Sequence, residues 1–357
     1  MKTEIPAISV IIPMYNEKKY IQQAVDSVLN QTFKDLNVII VNDGSTDGCF
    51  ELCQSLYGDN ERVTLISNHK NMKFSFTENH GIREAIGKYI AFLDSDDVYM
   101  PNILDVFYNL AEQYSADVVS TWGCLFTKDE DIPRDFSGAV TIMPDGLPAR
   151  EVEVFDLPGE PSDVSEKFRE KLDAYLRGEF GWCMCWNKLY RRKFLIDNNI
   201  LFPNHAADRG FTFQVMLHMK KYVKVPTLMN LFRNRLTSNS RRPPTREAIA
   251  KTPSDMAKFA ADFERAMSEF DFFKDNSVYK YRIIELQLNA LDIHSVMRYY
   301  PSGQMLNADV VKAIGEKSEE YFGEYAPFVD YLFHRYHLYY RQCMELTARI
   351  KQLESNK

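Results

Sequence analysis

Carboxylates gather at three turns, each following a short apolar run. Asp94-Ser95-Asp96-Asp97 follows Lys88-Tyr-Ile-Ala-Phe-Leu93. Asn42-Asp43-Gly-Ser-Thr-Asp47 follows Asn37-Val-Ile-Ile-Val41, and Pro13-Met-Tyr15-Asn-Glu17 follows Ile8-Ser-Val-Ile-Ile12. A single Asp in a turn commonly caps a helix or stabilises the turn itself. Three acid-bearing turns at the ends of successive apolar runs point instead to one shared site. The hard oxygens of Asp94-x-Asp96 suit Mg2+ or Mn2+, and such a cation can bridge protein carboxylates and a diphosphate. Other phosphate-binding devices are absent from the sequence. No Gly-x-Gly-x-x-Gly follows the first run, and neither a Gly-x-x-x-x-Gly-Lys-Ser/Thr loop nor a Gly-x-Ser-x-Gly elbow occurs. Pro13, with bulky Met14 and Tyr15 behind it, cannot form the tight glycine turn those devices need.

The runs that carry these turns read as buried parallel strands, rich in Val and Ile. Val63-Thr-Leu-Ile66 and Asp117-Val-Val-Ser-Thr121 extend the series. Helices are expected between them: 18–30, with Ile21, Ala24, Val25, Val28 and Leu29 on one face; after 47, capped by Ser45 or Thr46; 76–87; and about 101–114. Alternating strands and helices imply an α/β fold, a Rossmann-like, mostly parallel sheet flanked by helices. In such sheets ligands bind at the carboxyl ends of the strands, where all three acidic turns fall.

Between about 125 and 165 the periodicity decays among Pro133, Pro144, Pro148, Pro158 and Pro161, and an irregular insertion is expected. Helices are expected again near 164–177 and 191–198, on either side of an aromatic, Cys-rich stretch from Phe180 to Trp186. A boundary is placed near 245. Beyond it the pattern is helical at 254–270, 278–299, 308–322 and 326–354.

With 357 residues the chain is long enough for about two domains, and its 45% hydrophobic content excludes wholesale disorder. The net charge of −7 disfavours a nucleic-acid partner, which would call for a basic surface. The apolar run at Ile8 to Pro13 is too short for a signal peptide, and no stretch approaches 18 apolar residues. A cytoplasmic location is therefore expected, with all six cysteines as free thiols.

Taken in order, Ile8 to Glu17, Ser27-Val-Leu-Asn-Gln-Thr-Phe33, Ile40 to Asp47 and Gly87 to Asp97 resemble the segments of family 2 glycosyltransferases, which have the GT-A fold. A fainter match runs through Trp186-Asn-Lys-Leu-Tyr190, Asp208 and Phe232-Arg-Asn-Arg235 to Ser238 and Ser240. The resemblance implies a GT-A domain over 1–244, with a nucleotide-sugar-binding half (1–120) and an acceptor half (121–244). Residues 245–357 are expected to form a helical C-terminal region.

The resemblance also implies roles. Pro13, Tyr15 and Glu17 line the base and ribose, and Asp43 accepts a hydrogen bond from the base, typically uracil. Asp94 lies near the ribose with Ser95 beside it, and Asp96 coordinates Mn2+ or Mg2+ on the diphosphate. Asp208 is the general base of an inverting transfer from a nucleotide-diphosphate sugar, UDP-linked by family habit, to a saccharide or lipid-linked acceptor. Trp186, Asn187, Lys188 and His205 are candidates for the acceptor side. The aromatic run Tyr331 to Tyr340 is expected to pack internally, to touch a membrane surface peripherally, or to form a homodimer.

In Asn71-Met-Lys-Phe-Ser-Phe-Thr-Glu-Asn-His-Gly81, Asn71, Asn79 and Gly81 fit the family pattern, which implies that Asn79 touches the nucleotide-sugar donor. Lys73 stands where Gly is common, and its ammonium is a candidate for the diphosphate. Glu78 stands where Arg is common, and Ala207 replaces the Glu that commonly precedes the base. These departures leave a competing reading, a non-catalytic nucleotide-binding or scaffold subunit of a polysaccharide assembly complex.

Overall fold

The structure is a computed structural model that describes residues 5–127, 152–159, 165–180, 184–233 and 258–290. The chain divides into two compact units, Met1–Ser238 with Arg265–Asp275, and Asn239–Glu264 with Asn276–Lys357. Several expectations lie outside the described residues: most of the insertion at 125–165, the boundary near 245, Ser238 and Ser240, the helices at 308–322 and 326–354, and the run Tyr331 to Tyr340.

The first unit is built on one nine-stranded sheet ordered β3-β2-β1-β4-β8-β6-β9-β5, with β7 paired to β9. One half of it is four parallel strands: β1 (Ile8–Met14), β2 (Leu36–Asn42), β3 (Val63–Ser67) and β4 (Tyr89–Phe92). β1 and β2 are buried along nearly their whole length, which is why they read as unbroken apolar runs rather than alternating ones. The β1–β4 ladder ends at Ile11↔Phe92, two residues before Pro13, whereas β1 pairs with β2 through Met14. Proline thus sits where one flank of the strand has already ended. Because β2 and β4 lie on opposite sides of β1, the topological switch point falls at this opening.

Helices α1 (Ile21–Leu29), α2 (Cys49–Tyr57), α3 (Phe74–Glu84) and α4 (Ile103–Tyr114) follow β1, β2, β3 and β5 (Val98–Tyr99) respectively. α1 buries Ile21, Ala24, Val25, Val28 and Leu29, the face expected from their spacing. The cap of α2 differs from expectation. Asp47 Oδ1, not Ser45 or Thr46, accepts from Cys49 N at 3.0 Å. Ser45 and Thr46 instead hold Asn16: Asn16 N donates to Ser45 Oγ and Thr46 N donates to Asn16 Oδ1. The first two acidic turns are therefore stitched together.

The other half of the sheet is mixed. β6 (Val118–Thr127) contains the expected strand at 117–121, but it does not lie beside β4. β8 (Lys188–Arg191) separates them, antiparallel to both. β7 (Glu153–Asp156) pairs antiparallel with β9 (Lys221–Arg233), inside the stretch expected to be irregular. Helices α5 (Glu166–Leu176), α6 (Arg192–Asp197) and α7 (Ala207–His218) complete this half. On α5, Phe168 stacks on Phe270 at 5.4 Å and meets Phe272 edge-on. The helix expected at 254–270 is observed over residues 258–268 (α8). α9 (Phe272–Asp275) and α10 (Ser277–Ala290) end the described chain. No helix among the described residues is long and apolar enough to cross a membrane.

Candidate active site

The three acidic turns meet at the carboxyl ends of β1, β2 and β4, on the two sides of the opening at Pro13. Each is held differently. Asp43 is buried and already engaged, accepting from Met72 N at 2.8 Å, Lys73 N at 3.0 Å and Asn68 Nδ2 at 3.0 Å. Its carboxylate thus fixes the loop before α3, and the loop lies close by. A Cβ on Gly44, whose φ is +70, would come within 2.6 Å of the Lys70 backbone. Asn68 continues the network to His80 Nδ1 through Oδ1 at 2.9 Å.

Lys73 ends that loop at φ 76, ψ 163, a region that only glycine occupies without strain. The backbone is kept there because Lys73 N donates to both Asp43 Oδ2 and Asn71 Oδ1. The side chain is exposed at the rim.

Tyr15 is exposed, while Pro13 and Glu17 are partly exposed at the mouth. In the third turn, Asp97 N donates to Asp94 O, and Asp97 Oδ1 accepts from Arg233 N at 2.9 Å. Arg233 is buried and braces the turn from beneath: its Nε donates to Asp96 O at 2.7 Å, and its guanidinium lies 4.4 Å from the Tyr20 ring centre. Ser95 is buried, and Asp94 and Asp96 are partly exposed. Burial, then the like charges of Asp97, Asp96, Asp208 and Glu17, push the Asp94 carboxyl well above the usual range. So much negative charge at a strand end calls for a cation.

Asp208 is brought to this rim from the other half of the sheet by apolar packing. It lies in the first turn of α7, and Phe211, one turn later, is buried against Phe202. Their rings stack 4.1 Å apart, and both meet Phe92 at the end of β4 edge-on. Burying each such ring contributes on the order of 1.5–3 kcal/mol. The segment before α7 is also clipped to α3. Asn79 Nδ2 donates to Phe202 O and Asn79 Oδ1 accepts from Phe202 N, while Ser75 Oγ donates to Pro203 O. Gly81 lets α3 lie against β1, since a Cβ there would come within 2.4 Å of Ile11. Asn79, expected to touch the donor, therefore spends its amide on the backbone that carries Asp208.

Burial pushes the Asp208 carboxyl up to about 6, against the lowering effect of a hydrogen bond from Cys185 and of the charges on Arg209 and Lys188. Cys185 Sγ lies 3.6 Å from Asp208 Oδ1. The thiol is thus a hydrogen-bond donor to this carboxylate, and Ala207, the residue before Asp208, sits at positive φ. A carboxylate poised near neutrality is suited to take a proton.

The remaining candidates are placed unequally. Trp186 is buried and tilted against Phe232 at 5.7 Å. Asn187 is buried, donating to Thr121 O and accepting from Lys188 Nζ. Lys188 also donates to Met184 O. Trp186 and Asn187 are thus held in place by packing and by the sheet, and Lys188 places a buried cation near Asp208. His205 is exposed ahead of α7. Two residues with no role in the sequence reading now belong to the site. Cys185 is one. Glu78 is the other, fully buried, with burial and the charges of Asp94 and Asp208 holding its carboxyl well above the usual range.

Among the described residues no three His, Cys, Asp or Glu side chains are arranged to enclose a metal ion. Mg2+ and Mn2+ are also held by one or two carboxylates together with substrate phosphates and water, a mode that Asp94 and Asp96 fit.

Comparison with known proteins adds an independent line. The family model described as "Glycosyl transferase family 2" matches residues 9–197. The chain is 29% identical over 253 residues to the uncharacterized glycosyltransferase EpsJ of Bacillus subtilis, covering 69% of this chain and 67% of that protein. It is 40% identical over 133 residues to a chondroitin synthase of Pasteurella multocida, covering 37% of this chain but 13% of the synthase. Among solved structures, residues 1–349 of S. aureus TarS in complex with UDP-GlcNAc superpose with a TM-score of 0.60 at 18% identity, covering 94% of this chain and 91% of that one.

Proposed function

Because the chain belongs to glycosyl transferase family 2, whose family model spans residues 9–197, we propose that it is an inverting transferase. It moves a sugar from a nucleotide-diphosphate sugar to a hydroxyl of a saccharide or lipid-linked acceptor. UDP is the nucleotide we favour, since a protein of the same fold was solved with UDP-GlcNAc. The observation that carries the reading is the convergence of Asp208, with its carboxyl near neutrality, on the same rim as Asp94 and Asp96.

In this reading Pro13, Tyr15 and Glu17 border the nucleotide at the mouth. Asp43 shapes the pocket floor and offers Oδ2, which has one bond from Lys73 N, to the base. Asp96, aided by Asp94 and Ser95, holds Mn2+ or Mg2+, which when bound offsets the charge of the leaving diphosphate. The exposed Lys73 ammonium adds a second cation at the rim. Asp208 takes the proton of the acceptor hydroxyl, on the face of the sugar opposite the leaving group, and Lys188 and Cys185 keep its carboxylate form accessible near neutral pH. His205, Trp186, Asn187 and Lys188 border the acceptor side, and residues 1–244 form the transferase domain.

The test is a mass-spectrometric screen of UDP-sugars against saccharide and lipid-linked acceptors, with wild-type protein and Asp96→Ala. Transfer by the wild type that collapses in Asp96→Ala supports the reading. Tight UDP binding with no transfer across the panel would instead favour the scaffold role.

A further inference from the structure

Among the described residues, Glu78 is the buried carboxylate for which neither oxygen has a hydrogen-bond partner. A polar group left in this state costs about 1–3 kcal/mol, and more when charged. An apolar side chain of similar size would be tolerated more easily at a purely structural position. The surroundings of Glu78 suggest what repays that cost. One turn either side of it on α3, Ser75 Oγ donates to Pro203 O ahead of α7 and Gly81 lies against Ile11 of β1. Glu78 therefore sits on the α3 face turned to β1 and to the segment before Asp208, and the charges of Asp94 and Asp208 act on it. Tyr99 and Cys185, both buried, feel its charge as well. The proposed function, on which this inference rests, puts the donor diphosphate at the turn of Asp94 and Asp96 and the base at Asp208. In an inverting transfer the leaving diphosphate and the base stand on opposite faces of the anomeric carbon, so the sugar being moved lies between the Asp94 turn and Asp208, the two groups whose charges reach Glu78.

We propose that Glu78 is a substrate-binding residue that accepts hydrogen bonds from a hydroxyl or N–H group of the transferred sugar, and so sets which sugar is used. A site built to bond one polar group of its substrate rejects analogues that lack or misplace it, because its own buried polar atoms are then left unmet. A pocket lined only by apolar groups cannot discriminate so strongly. The nucleotide half of the donor contacts other residues and is indifferent to Glu78.

The experiment is calorimetric binding of UDP, UDP-glucose, UDP-galactose, UDP-GlcNAc and UDP-GalNAc to wild-type protein, Glu78→Met and Glu78→Gln, with thermal melting of each unliganded protein. The expected result has three parts. The wild type prefers one UDP-sugar by about 10-fold or more. Glu78→Met binds UDP within about twofold of wild type but loses that preference. Its Tm also rises by about 2 °C or more, because a buried unmet carboxyl has been removed. Glu78→Gln keeps part of the preference. Retention of the full preference in Glu78→Met would overturn the proposal. So would a lowered Tm with parallel loss of UDP binding, the outcome of a structural role. Wild-type protein that binds UDP but ranks the sugars equally would overturn it while leaving the nucleotide-sugar reading intact. Wild-type protein that binds neither UDP nor any UDP-sugar would overturn that reading, and this proposal with it.

Discussion

Cys185 Sγ stands 3.6 Å from Asp208 Oδ1, a thiol donor on the carboxylate assigned as base. The contact joins the turn ahead of β8 to the first turn of α7. It lowers the Asp208 carboxyl, which burial raises to about 6. For wild-type protein, kcat/KM should fall about tenfold per unit as pH drops below about 6. Removing the thiol in Cys185→Ala removes a lowering influence, so the acidic limb should move to higher pH while the plateau rate changes little. The pH profile of kcat/KM for both proteins checks this, and an unmoved limb would dissociate the thiol from the base.

Lys73 holds a glycine-type backbone conformation without being glycine. Lys73→Gly should relieve strain on the order of 1 kcal/mol, raising Tm by about 2–4 °C. If the ammonium also serves the diphosphate, the same variant should bind UDP several-fold more weakly. Melting and calorimetry read the two effects separately.

Glu78, Asp94 and Asp208 all have raised carboxyls in the folded protein. Unfolded, they release protons near the ordinary values of 4.5 for Glu and 3.8 for Asp. Between those values and the raised ones the folded state holds more protons than the unfolded state. Stability of the unliganded protein should therefore fall as pH rises through this window, by up to about 1.4 kcal/mol per unit for each proton involved. Urea denaturation at about pH 5 and about pH 7.5 measures it, and stability that rises with pH across this range would contradict the burial of these groups.

Asn79 clips α3 to Phe202 with both amide atoms. Asn79→Ala should destabilise the protein by about 1–3 kcal/mol and lower kcat more than UDP affinity, because the clip positions Asp208 rather than the nucleotide. Parallel kcat and UDP-binding measurements distinguish this from a direct donor contact.

Much of the site could be read in the chain because its turns follow strands that are nearly all apolar: β1 and β2 announce themselves by Val and Ile content, and β4 by the apolar run Tyr-Ile-Ala-Phe. The ordered motifs then pointed to Asp94, Asp96 and Asp208. What stayed hidden depends on contacts between distant segments. β8, Lys188-Leu-Tyr-Arg191, is short and half charged, and is a strand because β4 and β6 flank it. β7 is four residues long, too short for alternation to register. Asn79 was readable as a site residue, but its bond to Phe202, which spans 123 positions, was not. Glu78 was visible as a departure, but only the packing of α3 reveals that it faces inward.

The most direct test of the account is Asp208→Asn, assayed for sugar transfer and for UDP binding in parallel. The substitution keeps size and shape and removes basicity. The account predicts that transfer falls about 100-fold or more while UDP affinity stays within about threefold. Transfer retained at near wild-type rate by a folded Asp208→Asn protein would contradict it.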